Sequence, residues 1–295
     1  MKYLKALKHP DDLGWLELAI SSRKKEVSSL KFIKPDITKR YKGYDSEITK
    51  FEECPADTVF PCDEDKELLI DFYEHAPKKL NEEIIKRRNK HELKDCPYCG
   101  MPLRPLTLDH FIPKSTWPEY SILPNNLVPQ CRGCAPIKGE KYFDDANKQC
   151  LFISPIYSDL LEKVSLKINV TFVKSTNKYD FEVIFCVNSN IEEDDENRLV
   201  SHIKTLKVKS RIELYCKETV IDLINSCEAK KFNLRMVLQS RKEEKFVDEN
   251  SVRDWQTALY LGLLDNIDFF KYLESLMPNK KTGKKAKIAS KALEI

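Results

Sequence analysis

Two pairs of cysteines with the same short spacing constrain this chain more than any other feature. The segment CPYC runs from Cys96 to Cys99, and the segment CRGC runs from Cys131 to Cys134. A Cys-x-x-Cys turn brings both sulfur atoms to one side of a tight bend, so two such turns can offer four thiolates in a tetrahedron. This set of ligands is typical of a structural zinc (Zn²⁺) site.

Two other uses of cysteine fit the sequence less well. The chain contains ten cysteines, but disulfide frameworks are typical of short secreted proteins, and this chain has 295 residues. Its first twenty residues lack the uninterrupted apolar core and the small-residue cleavage site of a secretory signal, which predicts a cytoplasmic protein. A redox role would require a strand followed by a helix around Cys96, and the sequence shows no such context.

The composition is that of a globular protein, with 41% hydrophobic and 33% charged residues. No run of eighteen apolar residues occurs, so the sequence predicts no membrane-spanning helix. Lysine and arginine number 50 against 47 acidic residues, a net charge of +3. This balance neither favours nor excludes nucleic acid, because binding requires only a local basic patch.

Hydrophobic periodicity predicts an α+β fold in four regions. A mainly helical region comes first, with an irregular stretch over 34–61 and one helix over about 64–88. The second region is a small loop-rich module. The third contains a hairpin within 165–187 followed by helices, and the fourth is a basic tail. The predicted boundaries are 1–90, 91–145, 146–277 and 278–295. The lysines of the tail are consistent with contact to nucleic-acid phosphates or with a frayed, solvent-exposed terminus.

The segment LDHFIPKS, between the cysteine pairs, carries residues suited to hydrolysis. Asp109 and His110 follow Thr107 and Leu108, which look like the end of a strand. A histidine near its working pKa can take a proton from water, and an adjacent carboxylate can hold a divalent cation that neutralises phosphate charge. Taken alone, such a pair is more often explained by a structural histidine.

A third segment, PNNLVPQ, leads directly into the second cysteine pair. An asparagine at this point can hydrogen-bond to the backbone or to an imidazole ring and so orient a catalytic histidine. The second pair is followed by APIKG, which contains Lys138 and is followed by Glu140.

In this order, the segments CPYCG, LDHFIPKS, NNLVPQ and CRGCAPIKG resemble the HNH, or ββα-metal, endonuclease family. The resemblance covers about residues 96–141, and its specificity comes from the combination of segments. It implies a ββα-metal module, held by the zinc, that hydrolyses nucleic-acid phosphodiesters, with double-stranded DNA as the first candidate. An RNA target is not distinguishable from the sequence.

The resemblance also implies a role for each matching residue. His110 would be the general base, and Asp109 would bind the catalytic Mg²⁺ or Mn²⁺. Asn126 would hold the loop and His110 in place, while both cysteine pairs would bind the structural zinc. Lys114 and Lys138 would contact the nucleic acid.

One position departs from the family pattern. The residue after the second cysteine pair is usually asparagine or histidine and helps to bind the catalytic metal, but here it is Ala135. Ala135 is explained by an inactivating substitution, by compensation from an oxygen ligand such as Glu140, or by a degenerate nuclease that only binds. We favour the first explanation because the other signature positions are intact.

The layout of the whole chain resembles, more loosely, the HNH effectors of ATPase-linked phage-defence systems of the Septu kind. This resemblance implies a partner ATPase and a role in antiviral defence. Two alternatives remain open at this stage. One is a zinc-stapled nucleic-acid-binding module without catalysis, and the other is an interaction subunit of an ATPase complex in which the zinc module only holds shape.

Overall fold

The computed structural model describes residues 1–187, 190–245 and 252–278 of the chain. Within them helices and short antiparallel strand pairs alternate, which confirms the coarse prediction of an α+β fold. The predicted basic tail, apart from its first residue, lies outside the described residues. The helices are α1 (Gly14–Ile20), α2 (Val27–Ile48), α3 (Asp63–Glu74), α4 (Lys78–Asn89), α5 (Ala135–Lys138), α6 (Glu193–Thr205), α7 (Val208–Ala229), α8 (Leu234–Lys245), α9 (Trp255–Asp265) and α10 (Ile267–Ser275).

The first region contains α1 to α4, but its helices differ in two places from the prediction. The stretch predicted as irregular holds most of α2, which continues through Pro35. Its buried side chains recur every three or four residues and include Ile33, Ile37 and Tyr41. Burial of this continuous apolar face offsets the backbone hydrogen bond that the proline removes, so the helix persists.

The single helix predicted over 64–88 is two helices. α3 ends at Glu74 and α4 begins at Lys78, after Pro77. Proline disfavours helical backbone angles in the residue before it and cannot donate the hydrogen bond that would continue the helix. The apolar spacing is helical on both sides of the break, and this is why the pattern suggested one element.

The central region is built around a strand, a second strand and a short helix. Strand β1 (Thr107–His110) pairs antiparallel with β2 (Leu127–Gln130), and the register places His110 opposite Leu127. The short helix α5 begins immediately after Cys134. A small pair, β3 (Phe143–Asp144) and β4 (Gln149–Cys150), follows.

The hairpin predicted in the last third of the chain is confirmed. Strands β5 (Val164–Val173) and β6 (Lys178–Val187) pair antiparallel along their whole length. Helix α9 lies so close to β5 that a Cβ added to Gly262 would sit 2.1 Å from the carbonyl oxygen of Ile168. Only glycine allows this approach, which packs the C-terminal helices on the hairpin.

The central region shares its core with both neighbours. The indole Nε1 of Trp255 donates to the carbonyl oxygen of Cys99 at 2.6 Å, and His202 Nε2 lies 2.9 Å from that of Tyr98. From the other side, the Tyr44 hydroxyl donates to Asn126 at 2.9 Å. A module too small to build its own core is therefore stabilised by α2 on one side and by α6 and α9 on the other.

Candidate functional site

The four cysteines of the two Cys-x-x-Cys turns come together in the interior. Their sulfur atoms all lie within 4.8 Å of one another, and each side chain is buried. Gly100 closes the first turn with a positive φ of 74°. A Cβ at this position would lie 2.2 Å from the carbonyl oxygen of Arg253, so the turn requires glycine for both angle and space.

The geometry of the cluster fits a tetrahedral metal ion. Zinc–sulfur bonds of about 2.3 Å in a tetrahedron place neighbouring sulfur atoms about 3.8 Å apart. The sulfur atoms of Cys99 and Cys131 are 3.8 Å apart. The donor set, four thiols without an open position for water, suits a structural rather than a catalytic ion.

Arg211 in α7 was not anticipated from the sequence, yet its guanidinium lies against the thiols. Its nitrogens are 3.3 Å from Cys134 Sγ and 3.7 Å from the sulfur atoms of Cys99 and Cys131. Burial alone would lower the pKa of Arg211, but the neighbouring thiolates outweigh this effect and raise it. A divalent ion with four thiolates has a net charge of −2, so this guanidinium offsets half of it.

His110 lies at the end of β1, where two contacts fix its ring. Its Nε2 is 2.9 Å from the carbonyl oxygen of Ser121, so we assign the proton to Nε2 and leave Nδ1 as the acceptor. The Tyr73 ring of α3 meets it edge to face, with centroids 4.4 Å apart. Burial lowers the pKa of His110 to about 3, so the imidazole is neutral at physiological pH.

Both oxygens of the Asp109 carboxylate have partners inside the protein. Oδ1 lies 3.1 Å from the ammonium of Lys138, and Oδ2 accepts a hydrogen bond of 2.8 Å from the Tyr98 hydroxyl. Burial raises the pKa of Asp109, while the pairing with Lys138 and the bond from Tyr98 oppose this rise. The Lys138 ammonium and the Tyr98 hydroxyl thus hold the carboxylate in one orientation.

Lys138 was expected to contact nucleic acid, but its side chain points into the interior. Its side chain is fully buried, and its Nζ also donates to the carbonyl oxygen of His110 at 3.0 Å. The rings of Phe111 and Phe152 lie 5.9 and 5.5 Å from the ammonium. An ammonium enclosed in this way does not reach a phosphate at the surface, because α5 turns the side chain inward.

Asn126 ties together the backbone that follows His110. Its side-chain oxygen accepts from the Ile112 amide at 2.8 Å and from the Tyr44 hydroxyl. Its side-chain nitrogen donates to the carbonyl oxygens of Ile112 and Tyr120, at 2.9 and 3.2 Å. The loop after β1 is therefore anchored at both its amide and its carbonyl.

Asp109 and His110 line one cavity of about 200 Å³. Ala135, the first residue of α5, also lines it. Lys114 lines the cavity and forms an ion pair of 2.7 Å with Glu74. Ala135, at which the HNH resemblance led us to expect a metal ligand, contributes only a methyl group. Glu140 is also present, but it accepts a short hydrogen bond from Ser115.

These residues do not fit a divalent catalytic ion. Magnesium requires several oxygen ligands in near-octahedral geometry, whereas both oxygens of Asp109 are engaged and Ala135 offers none. Within the part of the chain that the structure describes, only the four cysteines form a group of three or more ligands close enough to share an ion. The expected Mg²⁺ or Mn²⁺ site is thus not formed by the residues present.

Two further residues near His110 come from distant parts of the sequence. Tyr73 belongs to α3, and the Arg88 guanidinium of α4 opposes the rise in the pKa of its hydroxyl that burial causes. Neither residue lies in a recognisable motif, and their helical spacing gives no sign that Tyr73 meets the end of β1. Only the packing of the two helices against the central region brings it there.

The chain is similar to a phage protein over more than half of its length. Protein Ea31 of Escherichia phage lambda is 26% identical over 191 residues, which cover 60% of this chain and 63% of the phage protein. The aligned part is thus less than two thirds of that relative. No protein-family model matches the chain, and no solved structure matches it.

Among the described residues, no helix is both long and apolar enough to cross a membrane.

Proposed function

We propose that this protein is an HNH-type endonuclease that hydrolyses nucleic-acid phosphodiesters, with DNA as the first substrate to test. The observation that carries the proposal is the strand–strand–helix unit with His110 at the end of its first strand, lining an open cavity. The Ser121 carbonyl holds the Nε2 proton, and this leaves Nδ1 able to accept a proton once the negative charge of a bound phosphate raises the pKa of His110 from about 3.

In this proposal His110 removes a proton from a water molecule, whose oxygen attacks the phosphorus. The leaving 3′ oxygen departs and takes a proton from solvent. Lys114 lines the cavity and is the candidate cation to hold the phosphate. The cysteine cluster would bind zinc and keep α5 next to β1 and β2, without taking part in the reaction.

The test is nicking of supercoiled plasmid by the full chain and by His110→Ala. The expected result is a loss of at least about a hundredfold in rate, the usual contribution of a general base. His75→Ala is the matched control, because this imidazole is 76% exposed and lies outside the cavity. Circular dichroism must show that both variants are folded. Undiminished cutting by His110→Ala would overturn the assignment.

A nucleic-acid-binding protein without catalysis is the second candidate, and the Asp109 environment favours it. Ala135 supplies no ligand, and Lys138 already neutralises the carboxylate. This function predicts binding of duplex DNA that weakens steeply as salt rises, since phosphate contacts release counterions. It also predicts no nicking by Ala135→Asn under any divalent metal. Salt-independent or absent binding would instead favour an interaction subunit, for which an ATPase remains the proposed partner.

A further inference from the structure

The Asp109 carboxylate has a resident cation of its own. We propose that the ammonium of Lys138 stands at Asp109 in place of a divalent metal and keeps such ions away from it. The proposal rests on the proposed function only in taking Asp109 and His110 as the site. Its claim concerns metal binding, which is measurable whether or not the protein cuts nucleic acid.

The first support is the hydrogen bonding of the carboxylate. Asp109 Oδ1 is 3.1 Å from Lys138 Nζ, and Oδ2 is 2.8 Å from the Tyr98 hydroxyl. An ion that bound either oxygen would lie within a few ångströms of the buried ammonium, where little water separates the two charges. Repulsion between them would oppose binding at every open position of this carboxylate.

The second support is that Lys138 is built into its place. None of its side chain is exposed, and Nζ also donates to the carbonyl oxygen of His110 at 3.0 Å. The centroids of the Phe111 and Phe152 rings also lie within 6 Å of the ammonium. Moving the ammonium to solvent would leave both the carboxylate and the carbonyl without this donor, so the pair is not easily opened.

The third support is that few carboxylate or carbonyl ligands line the cavity beside Asp109 in the described part of the chain. Ala135 has only a methyl group, and Glu140 accepts a hydrogen bond from Ser115. A metal at Asp109 would have to take its other ligands from His110 Nδ1, the Gln130 amide or water, against an adjacent positive charge. It follows that adding a ligand at position 135 is not sufficient to create a metal site while Lys138 remains.

The experiment measures Mn²⁺ binding by electron paramagnetic resonance of the free ion, with the zinc-loaded full chain. The variants are Ala135→Asn, Lys138→Met, and the double variant with both changes. Lys141→Met is the matched control, since it removes an exposed lysine three residues away. Zinc content and circular dichroism are recorded for every protein, so that an unfolded variant is recognised.

The starting chain, Ala135→Asn and Lys141→Met are expected to leave Mn²⁺ free. The double variant is expected to bind Mn²⁺ at least about tenfold more tightly than Ala135→Asn, and Asp109→Asn in the same background should remove this binding. A folded double variant that binds no better than Ala135→Asn would overturn the proposal. The proposal also fails if the starting chain binds Mn²⁺ and Asp109→Asn abolishes that binding. This second test does not depend on whether Lys138→Met folds.

These outcomes separate the inference from the proposed function. A protein that excludes Mn²⁺ and never nicks plasmid supports the role of Lys138 and contradicts the nuclease. A protein whose nicking depends on His110 and which binds Mn²⁺ at Asp109 supports the nuclease and contradicts the role of Lys138.

Discussion

The side chain of Asn126 uses its full hydrogen-bonding capacity within the protein. Its oxygen accepts two hydrogen bonds and its nitrogen donates two, all to buried groups of the loop after β1 or to Tyr44. Removing the amide leaves the backbone amide and carbonyl of Ile112 without these partners, and a buried group left unpaired costs about 1–3 kcal/mol.

Asn126→Ala is therefore expected to lower the free energy of unfolding by about 2–5 kcal/mol. Urea denaturation followed by fluorescence measures this change. Asn81→Ala is the control, because Asn81 is exposed on α4 and its replacement should change stability by about 0.5 kcal/mol or less. Equal effects of the two substitutions would mean that the amide does not hold the loop.

His202 gives the protein a pH dependence. Its Nδ1 accepts from the Ile153 amide at 3.1 Å and its Nε2 faces the Tyr98 carbonyl, so the folded state holds a neutral ring. Burial lowers its pKa to about 4. The unfolded chain takes up a proton near pH 6.5, and the folded chain does so only near pH 4. Stability present above pH 6.5 is thus lost as the pH falls towards 4.

We expect the free energy of unfolding to fall by a few kcal/mol across this interval, and the fall to be smaller in His202→Gln. Urea denaturation at a series of pH values measures both slopes. His110 contributes in the same direction, because burial lowers its pKa to about 3. The interpretation fails if the starting chain and His202→Gln lose stability in parallel.

At the scale of elements, α2 carries an internal proline at an exposed position. Pro35 lies eight residues after the first residue of the helix and cannot donate to the preceding turn. Pro35→Ala should restore that hydrogen bond and raise the free energy of unfolding by about 1–3 kcal/mol. Pro77→Ala is the control, since Pro77 caps α4 where its missing donor costs nothing. Thermal denaturation compares the two, and no gain from Pro35→Ala would refute the expectation.

The elements differ in how far the sequence alone predicts them. The hairpin of β5 and β6 was predictable because alternation along two runs specifies strands directly. Helix α2 was not, because its internal Pro35 obscures the pattern of an apolar face that packing preserves. The site shows the same division. The cysteine cluster follows from local spacing, and the Asp109–His110 pair was selected by the resemblance to the HNH pattern, whereas Tyr73 and Arg211 come from separate helices.

At the scale of the molecule, the cysteine cluster joins regions that are distant in the chain. Trp255 and His202 both donate to backbone carbonyls of the first Cys-x-x-Cys turn, and Arg211 contacts sulfur atoms of both turns. Metal bound by the cluster would therefore stabilise the C-terminal helices as well as the turns themselves, since binding to the folded state adds to its stability.

Cys99→Ser is expected to reduce bound zinc and to lower the stability of the whole chain by several kcal/mol, because it removes one of four metal ligands. Native mass spectrometry measures the zinc, and calorimetry measures the unfolding transition. Cys54→Ser is the matched control, since Cys54 is exposed and lies outside the cluster. If Cys99→Ser loses zinc while its unfolding transition stays unchanged, the cluster does not connect the regions.

The hydrogen bond from Trp255 to Cys99 also bears on how such a protein can evolve. A zinc-binding segment that supplies its own core can pass between genes as a cassette, but here the first turn relies on an indole more than 150 residues away. Transplanted by itself, the segment would lose that donor and expose the apolar faces that α2 and α9 cover. Exchange by recombination would therefore have to carry nearly the whole chain, and diversification would proceed by compensating changes on both sides of the contact.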